Sequence, residues 1–369
     1  MRVLYWTQLF WPYIGGVEVL ATKFLPAMRE RGYEFAVVTS HGSLNLPDEA
    51  EYRGIRIYRF PFQTALAGGN VDKLMTALQG VVRLKRAFRP DLIHINFSDP
   101  SIFFNFHSSA AYPAPVLIAI RVALPNGHTS GQPDTLLGQT FRAADWITAN
   151  SAAMLADARR LVPEIVHRSS VIYNGLSMPD VPVMPLPFLP PLLLCLGRLV
   201  EDKGFDVALR AFAALVGRFP QLRLIIAGDG PARLALERQA FDLGLSSVVQ
   251  FAGWVVPERV PELINGATIV VIPSRWQEAF SLVALQAAQM ARPVVGTRVG
   301  GLPEVIVHGQ TGLLVENEDT HALAEAIAYL LDNPQAATEM GLAGRRRAQG
   351  LFSWESHINA YDELYKRLI

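Results

Sequence analysis

Short apolar runs rich in β-branched residues alternate along this chain with longer stretches in which apolar positions return every three or four residues. Runs at 3–7, 35–39, 55–60, 92–96, 116–120, 146–149 and 171–173 read as strands. Between the first two, Val17, Leu20, Ala21, Phe24 and Met28 repeat at helical spacing, and Gly32 sits where a helix C-cap belongs. The pattern then restarts, with strands expected at 192–196, 222–227, 248–251, 269–272, 294–295 and 313–315 and helices at 206–219, 231–243 and 282–290. Strands that are apolar throughout, with helices between them, indicate parallel sheets covered on both faces. Two doubly wound, Rossmann-like α/β domains are therefore expected, spanning 1–178 and 192–353. Between them Pro179, Pro182, Pro185, Pro187, Pro190 and Pro191 make a stiff, donor-poor segment suited to a linker at 179–191. A closing helix is expected over 354–369. Ligands of open α/β sheets bind beyond the carboxyl ends of the strands. With two such domains facing each other, the expected site is the cleft between them.

Composition narrows the class. A length of 369 residues fits two domains, and a chain that is 50% apolar, 18% charged and of mean hydropathy +0.22 is a folded globular protein. Its 33 basic and 33 acidic residues cancel, so the basic excess of a nucleic-acid binder is missing. Up to residue 180 there are 17 basic and 14 acidic residues, and 16 and 19 follow, a difference within the scatter of solvated charges. Cys195 stands alone, which excludes an intrachain disulfide or a cysteine-cluster metal site and suits a reducing compartment. The N-terminal apolar stretch reads as a strand, with no cleavage site of a signal peptide after it. No run of about 18 apolar residues occurs, and the most apolar region, 181–196, holds five prolines. A cytoplasmic enzyme is expected, meeting a membrane only from outside if at all.

Candidate chemistry gathers at the strand ends. Gly15-Gly16, ahead of a helix and of Glu18, lets backbone approach a ligand closely, although such pairs are more often plain turns. Arg198 and Lys203 lie on the loop after the strand at 192–196, a guanidinium and an ammonium suited to phosphate. In Pro273-Ser274-Arg275-Trp276-Gln277-Glu278-Ala279-Phe280-Ser281, one carboxylate precedes a helix whose expected N-cap is Ser281, leaving amides such as those of Leu282 and Val283 free. A carboxylate for hydroxyls beside amides for phosphate fits a sugar joined to a diphosphate. Gly228-Asp229-Gly230-Pro231 begins like a dinucleotide fingerprint but has Arg233 in the third glycine's place, so it reads as a tight loop.

Taken in order, Pro12–Glu18, Val171–Gly175, Gly197-Arg198-Leu199 with Lys203-Gly204, Ala227–Pro231, Phe251–Trp254, residues 278–286 and Gly300–Glu304 resemble the glycosyltransferases of family 4, retaining, nucleotide-sugar-dependent enzymes of the GT-B fold. The resemblance implies that Arg198 and Lys203 bind the donor diphosphate with the amides of Phe280, Ser281, Leu282 and Val283 and the Gly15-Gly16 loop. Glu278 would contact hydroxyls of the transferred sugar, and Gly228, Asp229, Gly230, Trp254 and Val255 would border the base. It further implies a UDP- or GDP-sugar donor, a sugar or lipid-linked acceptor, no metal or other cofactor, and a last helix that crosses back onto the first domain. Phe352-Ser353-Trp354 with Tyr361 and Tyr365 match that helix.

Two positions depart from the family pattern. Gln286 stands where a second glutamate is common, and Arg121 where many members have a histidine near the reacting centre; Arg cannot serve as a base. These departures leave open a catalytically silent relative, and the architecture also admits a sugar-nucleotide epimerase or hydrolase. Glu18, His94, Arg121 and His128 are the candidates on the acceptor side, with His94 also readable as a satisfied core histidine. Residues 71–89 place Leu74, Leu78, Val81 and Val82 beside Arg83, Lys85, Arg86 and Arg89. This is either a basic amphipathic helix for a peripheral membrane contact or an ordinary surface helix.

Overall fold

A computed structural model of the protein describes residues 1–67, 70–96, 99–124, 135–276 and 278–369. The chain divides into two compact units, one formed by residues 1–173 and 357–369, the other by 174–356.

The first unit is built on an eight-stranded sheet: β1 (Arg2–Trp6), β2 (Glu34–Ser40), β3 (Glu49–Tyr52), β4 (Ile55–Phe60), β5 (Leu92–Asn96), β6 (Val116–Ile120), β7 (Trp146–Ala149) and β8 (Ser169–Val171). Their order is β3-β4-β2-β1-β5-β6-β7-β8, parallel except for β3. Burial on both faces explains the continuous apolar runs, with β1, β2, β5 and β6 almost wholly inside. The last strand pairs over 169–171, two residues ahead of the expected 171–173. β3 has no apolar run to announce it. Its Glu49 and Glu51 lie on an exposed edge, and it turns into β4 through Arg53 and Gly54 at φ of 51° and 77°, the two positive values of a tight hairpin turn.

The second unit holds six parallel strands, β9 (Leu192–Leu196), β10 (Arg223–Ala227), β11 (Val249–Gly253), β12 (Ile269–Ile272), β13 (Val294–Thr297) and β14 (Gly312–Val315), ordered β11-β10-β9-β12-β13-β14. Helices expected at 206–219 and 231–243 are Phe205–Leu215 and Arg233–Asp242, stopping short of Gly217 and starting past Pro231. Sheet order reverses direction beside β9, whose neighbours β10 and β12 lead away on opposite sides. The loops after β9 and β12 therefore open at a topological switch point, where such a sheet leaves room for a ligand.

Residues 179–191 belong to this second unit. Poor in N–H groups, the segment relies on side chains to satisfy its carbonyls: Asn265 Nδ2 donates to Pro182 O at 2.8 Å, buried Arg292 to Met184 O at 2.9 Å, and Thr268 Oγ1 to Pro187 O. Residues 357–369 of the last helix, Trp354–Leu368, belong to the first unit. There Ile358, Tyr361, Leu364 and Tyr365 are buried, and the Tyr33 hydroxyl donates to Asp362 Oδ1 at 2.7 Å.

Candidate functional site

At the switch point of the second unit, the loop after β9 carries Arg198 and Lys203. Arg198 is exposed, and its guanidinium has no carboxylate partner among the described residues. Lys203 ends a single 3-10 turn, Glu201–Lys203, and is followed by Gly204 at φ +63°. Glycine is required there, because a Cβ would overlap the Pro273 carbonyl at the end of β12. That close approach brings the two loops together. Lys203 Nζ reaches Glu278 Oε2 at 2.5 Å, and Ser274 Oγ donates to the same oxygen at 3.1 Å. The pair is partly shielded, with side-chain exposures of 27% and 15%, so its charges act through a less polar medium than bulk water.

The backbone around Glu278 is clamped from the other side. Thr297 Oγ1, at the end of β13, donates to Ser274 O at 2.6 Å, and Gly301 N donates to Glu278 O at 2.7 Å. Gly300, at φ +51°, lies so close to the Glu278 carbonyl that a side chain would overlap it. The Gly300-Gly301 pair thus buttresses the glutamate's main chain. Beyond it Phe280 is buried edge-on against Phe352, and Ser281 caps the helix Leu282–Gln289, its hydroxyl accepting from Ala284 N at 3.4 Å. Ser281 holds φ +72°, an uncommon value for a residue with a Cβ. Leu282, Val283 and Gln286 are half-buried on this helix, whose amino end follows Glu278 by four residues.

A third loop lies against the first. Gly197 N donates to Ala227 O at 3.0 Å, Leu199 N to Asp229 O at 2.8 Å, and Gly228 N to Gly253 O at 2.7 Å. The structure thereby brings Arg198, Gly228, Asp229, Gly230 and the segment before Trp254 and Val255 to one end of the sheet. Trp254 is 53% exposed and Val255 half-buried. Gly228 at φ +135° and Gly230 at φ +154° pack on the main chain of Gly197 and Leu199, where Cβ atoms would collide with carbonyl oxygens. Gly228→Ala is accordingly expected to destabilise this unit by about 3 kcal/mol or more, since backbone cannot step aside as a side-chain tip can. Thermal denaturation of the variant checks this, and an unchanged midpoint would contradict the packing described.

In the first unit the helix Gly16–Arg29 follows β1, with Gly15 extended and Glu18 folded back so that a side chain at Gly15 would meet its carboxylate. His94 is not on an accessible surface. It is fully buried in β5, its Nδ1 hydrogen-bonded to the Tyr365 hydroxyl, and burial together with Arg121 and His357 pushes its pKa well below the ordinary value. Arg121 is likewise buried, donating from Nε to Asn96 Oδ1 at 3.1 Å and from Nη2 to the Tyr361 hydroxyl at 3.2 Å, with its guanidinium over the Tyr361 ring. These two of the four acceptor-side candidates are thus core residues under the last helix. His128 lies outside the described residues. Lys85, expected in an exposed basic row, is buried instead. Its ammonium donates to Asn105 Oδ1 at 2.9 Å above the Trp6 ring, and burial pushes its pKa down to about 7.

Arg275 had no role in the sequence reading, yet its side chain joins Asp206 and Glu318 and its amide donates to Asp202 O at 2.8 Å. The only sequence signal was a cation next to the Glu278 loop, and its partners lie 69 and 43 residues away.

Two parallel-stranded units, with a Lys–Glu pair beside a capped helix at the switch point of the second, define the class, and comparison with known proteins agrees. Residues 14–178 match the family model described as Glycosyltransferase Family 4, and residues 186–347 match Glycosyl transferases group 1. The chain belongs to these glycosyltransferases and has the GT-B fold. It is 36% identical over 172 residues to a GDP-mannose-dependent alpha-(1-6)-phosphatidylinositol monomannoside mannosyltransferase of Mycolicibacterium smegmatis, a match covering 45% of each chain. To a glycogen synthase of Mycobacterium tuberculosis it is 26% identical over 99% of this chain and 94% of that one. Among solved structures, a sucrose-phosphate synthase from Thermosynechococcus elongatus superposes with a TM-score of 0.82 at 24% identity, covering 100% of this chain and 98% of that one. HepE from Anabaena in complex with UDP gives 0.81 at 21%, covering both chains fully. At such identities these structures speak for the fold alone.

Proposed function

We propose that this glycosyltransferase is a retaining, metal-independent enzyme that moves a hexose from a nucleoside-diphosphate sugar to an acceptor hydroxyl in glycan, glycolipid or polysaccharide synthesis. The observation that carries the reading is the Lys203–Glu278 pair beside Arg198 and the amino end of Leu282–Gln289. A sugar diphosphate needs cations and amides at its phosphates and a hydroxyl-binding carboxylate next to them, and this loop cluster supplies both. In the transfer, the bond from the anomeric carbon to the diphosphate oxygen breaks and its electron pair leaves with the phosphate. The acceptor oxygen bonds to the same face of that carbon, and its proton passes to the departing phosphate. Lys203, Arg198 and the helix amides stabilise the negative charge that develops there, the part a divalent cation plays elsewhere. Gln286 keeps hydrogen-bonding capacity toward the nucleotide without a charge.

The base and acceptor follow from a direct test. Relatives include a protein named as GDP-mannose-dependent and a structure in complex with UDP, so both donor classes belong in it. Leu66, Val71 and Met75 are exposed around Lys73 at the start of the helix Val71–Phe88, which supports including lipid-linked acceptors in anionic vesicles. The protein is incubated with UDP- and GDP-sugars, with and without chelator, and nucleoside diphosphate release is followed. Donor-dependent release that survives chelation, with the product's anomeric configuration retained, is the expected result. Binding without turnover across donors and acceptors would establish a silent nucleotide-sugar binder instead.

A further inference from the structure

Arg275 stands next to the proposed donor site without touching the Lys203–Glu278 pair. Its guanidinium grips Asp206 through both terminal nitrogens, at 2.6 Å each, and reaches Glu318 through Nε. Nη1 also donates to Glu201 O at 3.1 Å, its amide donates to Asp202 O at 2.8 Å, and its carbonyl accepts from Asn317 Nδ2 at 3.1 Å. One residue thereby fastens three segments: the loop that carries Lys203, the loop that carries Glu278, and the turn after β14. With its side chain only 16% exposed, this fork is far better shielded than an ordinary surface ion pair. Arg210 supplies a second cation to Asp206, at 2.9 Å.

The spacing gives the cluster its meaning. Lys203 lies three residues before Asp206, in the first turn of the next helix, and Glu278 three residues after Arg275, so Lys203–Glu278 and Asp206–Arg275 are two rungs between the same two segments. One rung belongs to the proposed donor site, whereas the other is bonded within the protein. The second rung fixes the separation of the loops. It also engages the carboxylates of Asp206 and Glu318.

Resting on the function proposed above, we infer that Arg275 is a positioning residue that sets the reach of Lys203 and Glu278 toward the donor. A lysine there keeps the charge but loses the fork. Arg275→Lys is expected to lower kcat for nucleoside diphosphate release about 10- to 100-fold, as small misplacements of reacting groups do, with the donor KM changed less than about threefold. The melting temperature should stay within a few degrees. Asp206→Asn, which keeps the shape of the partner, should act in the same direction. A kcat in Arg275→Lys and Asp206→Asn equal to that of the unmodified protein, while Lys203→Ala is impaired, would overturn the positioning role and leave the functional reading intact. Full turnover in Lys203→Ala would instead remove the functional reading itself. A fall in melting temperature with unchanged kcat of the folded fraction would show a purely structural fork and likewise overturn the proposal.

Discussion

Lys203→Ala is expected to slow nucleoside diphosphate release by about 10²–10³-fold, the usual cost of deleting one preorganised group at a developing charge. The ammonium sits 2.5 Å from Glu278, on a loop whose position is fixed by Gly204 against Pro273. Glu278→Gln preserves size and hydrogen bonding but removes the charge. It is expected to lose activity to a similar degree, because Lys203 and Ser274 Oγ both point at the carboxylate oxygen that changes. Since the two residues act as a unit, the double variant should fall well short of the product of the single effects. Steady-state release assays, with melting curves as controls for folding, decide the matter. Turnover preserved in both single variants would refute the assignment of this loop pair.

Legibility in the sequence followed the range of each interaction. Apolar runs betray buried parallel strands, so the two sheets and the loops bearing Lys203 and Glu278 could be read directly. The edge strand β3 could not, because Glu49-Ala50-Glu51-Tyr52 has one side in water and pairs through its backbone. Arg275 was invisible as a fork because pairing with Asp206 and Glu318 is a property of the folded unit. His94 and Arg121 looked like site residues because they stand at strand ends, where ligands usually bind. The last helix covers them instead, and Tyr361 and Tyr365 of that helix are their partners. Gly228 and Gly230 could be seen as a tight loop, but its purpose, packing on Gly197 and Leu199, required the coordinates.

Acidification is expected to destabilise the first unit. His357 is fully enclosed, its Nδ1–H donating to Tyr173 O at 2.6 Å; burial, reinforced by the Arg121 charge, pushes its pKa down to about 3 from 6.5. His94 shifts in the same direction, first through burial, then through Arg121 and His357. Both folded-state values lie below the unfolded ones, so below about pH 6.5 the unfolded chain takes up protons that the folded chain refuses. Stability is therefore fully present above about pH 6.5 and falls as the pH drops toward 3, by about 1.4 kcal/mol per pH unit through His357, with His94 acting in the same direction. Two units of acidification cost about 3 kcal/mol through His357 alone, a large share of the stability of a typical domain. Thermal unfolding followed by circular dichroism at about pH 7.5 and about pH 4.5 should show a large loss in the transition of this unit. His357→Gln should reduce the pH slope, whatever it does to the midpoint itself. Identical midpoints at both pH values would contradict the buried neutral imidazoles.

The first unit is assembled from residues 1–173 and 357–369, whereas the second is continuous over 174–356. During translation the second unit therefore has its whole sequence available while the first still lacks the residues that cover His94 and Arg121. Until Tyr361 and Tyr365 are made, His94 and Arg121 lack the hydroxyls that they bond in the finished unit. The second unit can therefore close as soon as its own residues are made, whereas the first waits for residues 357–369.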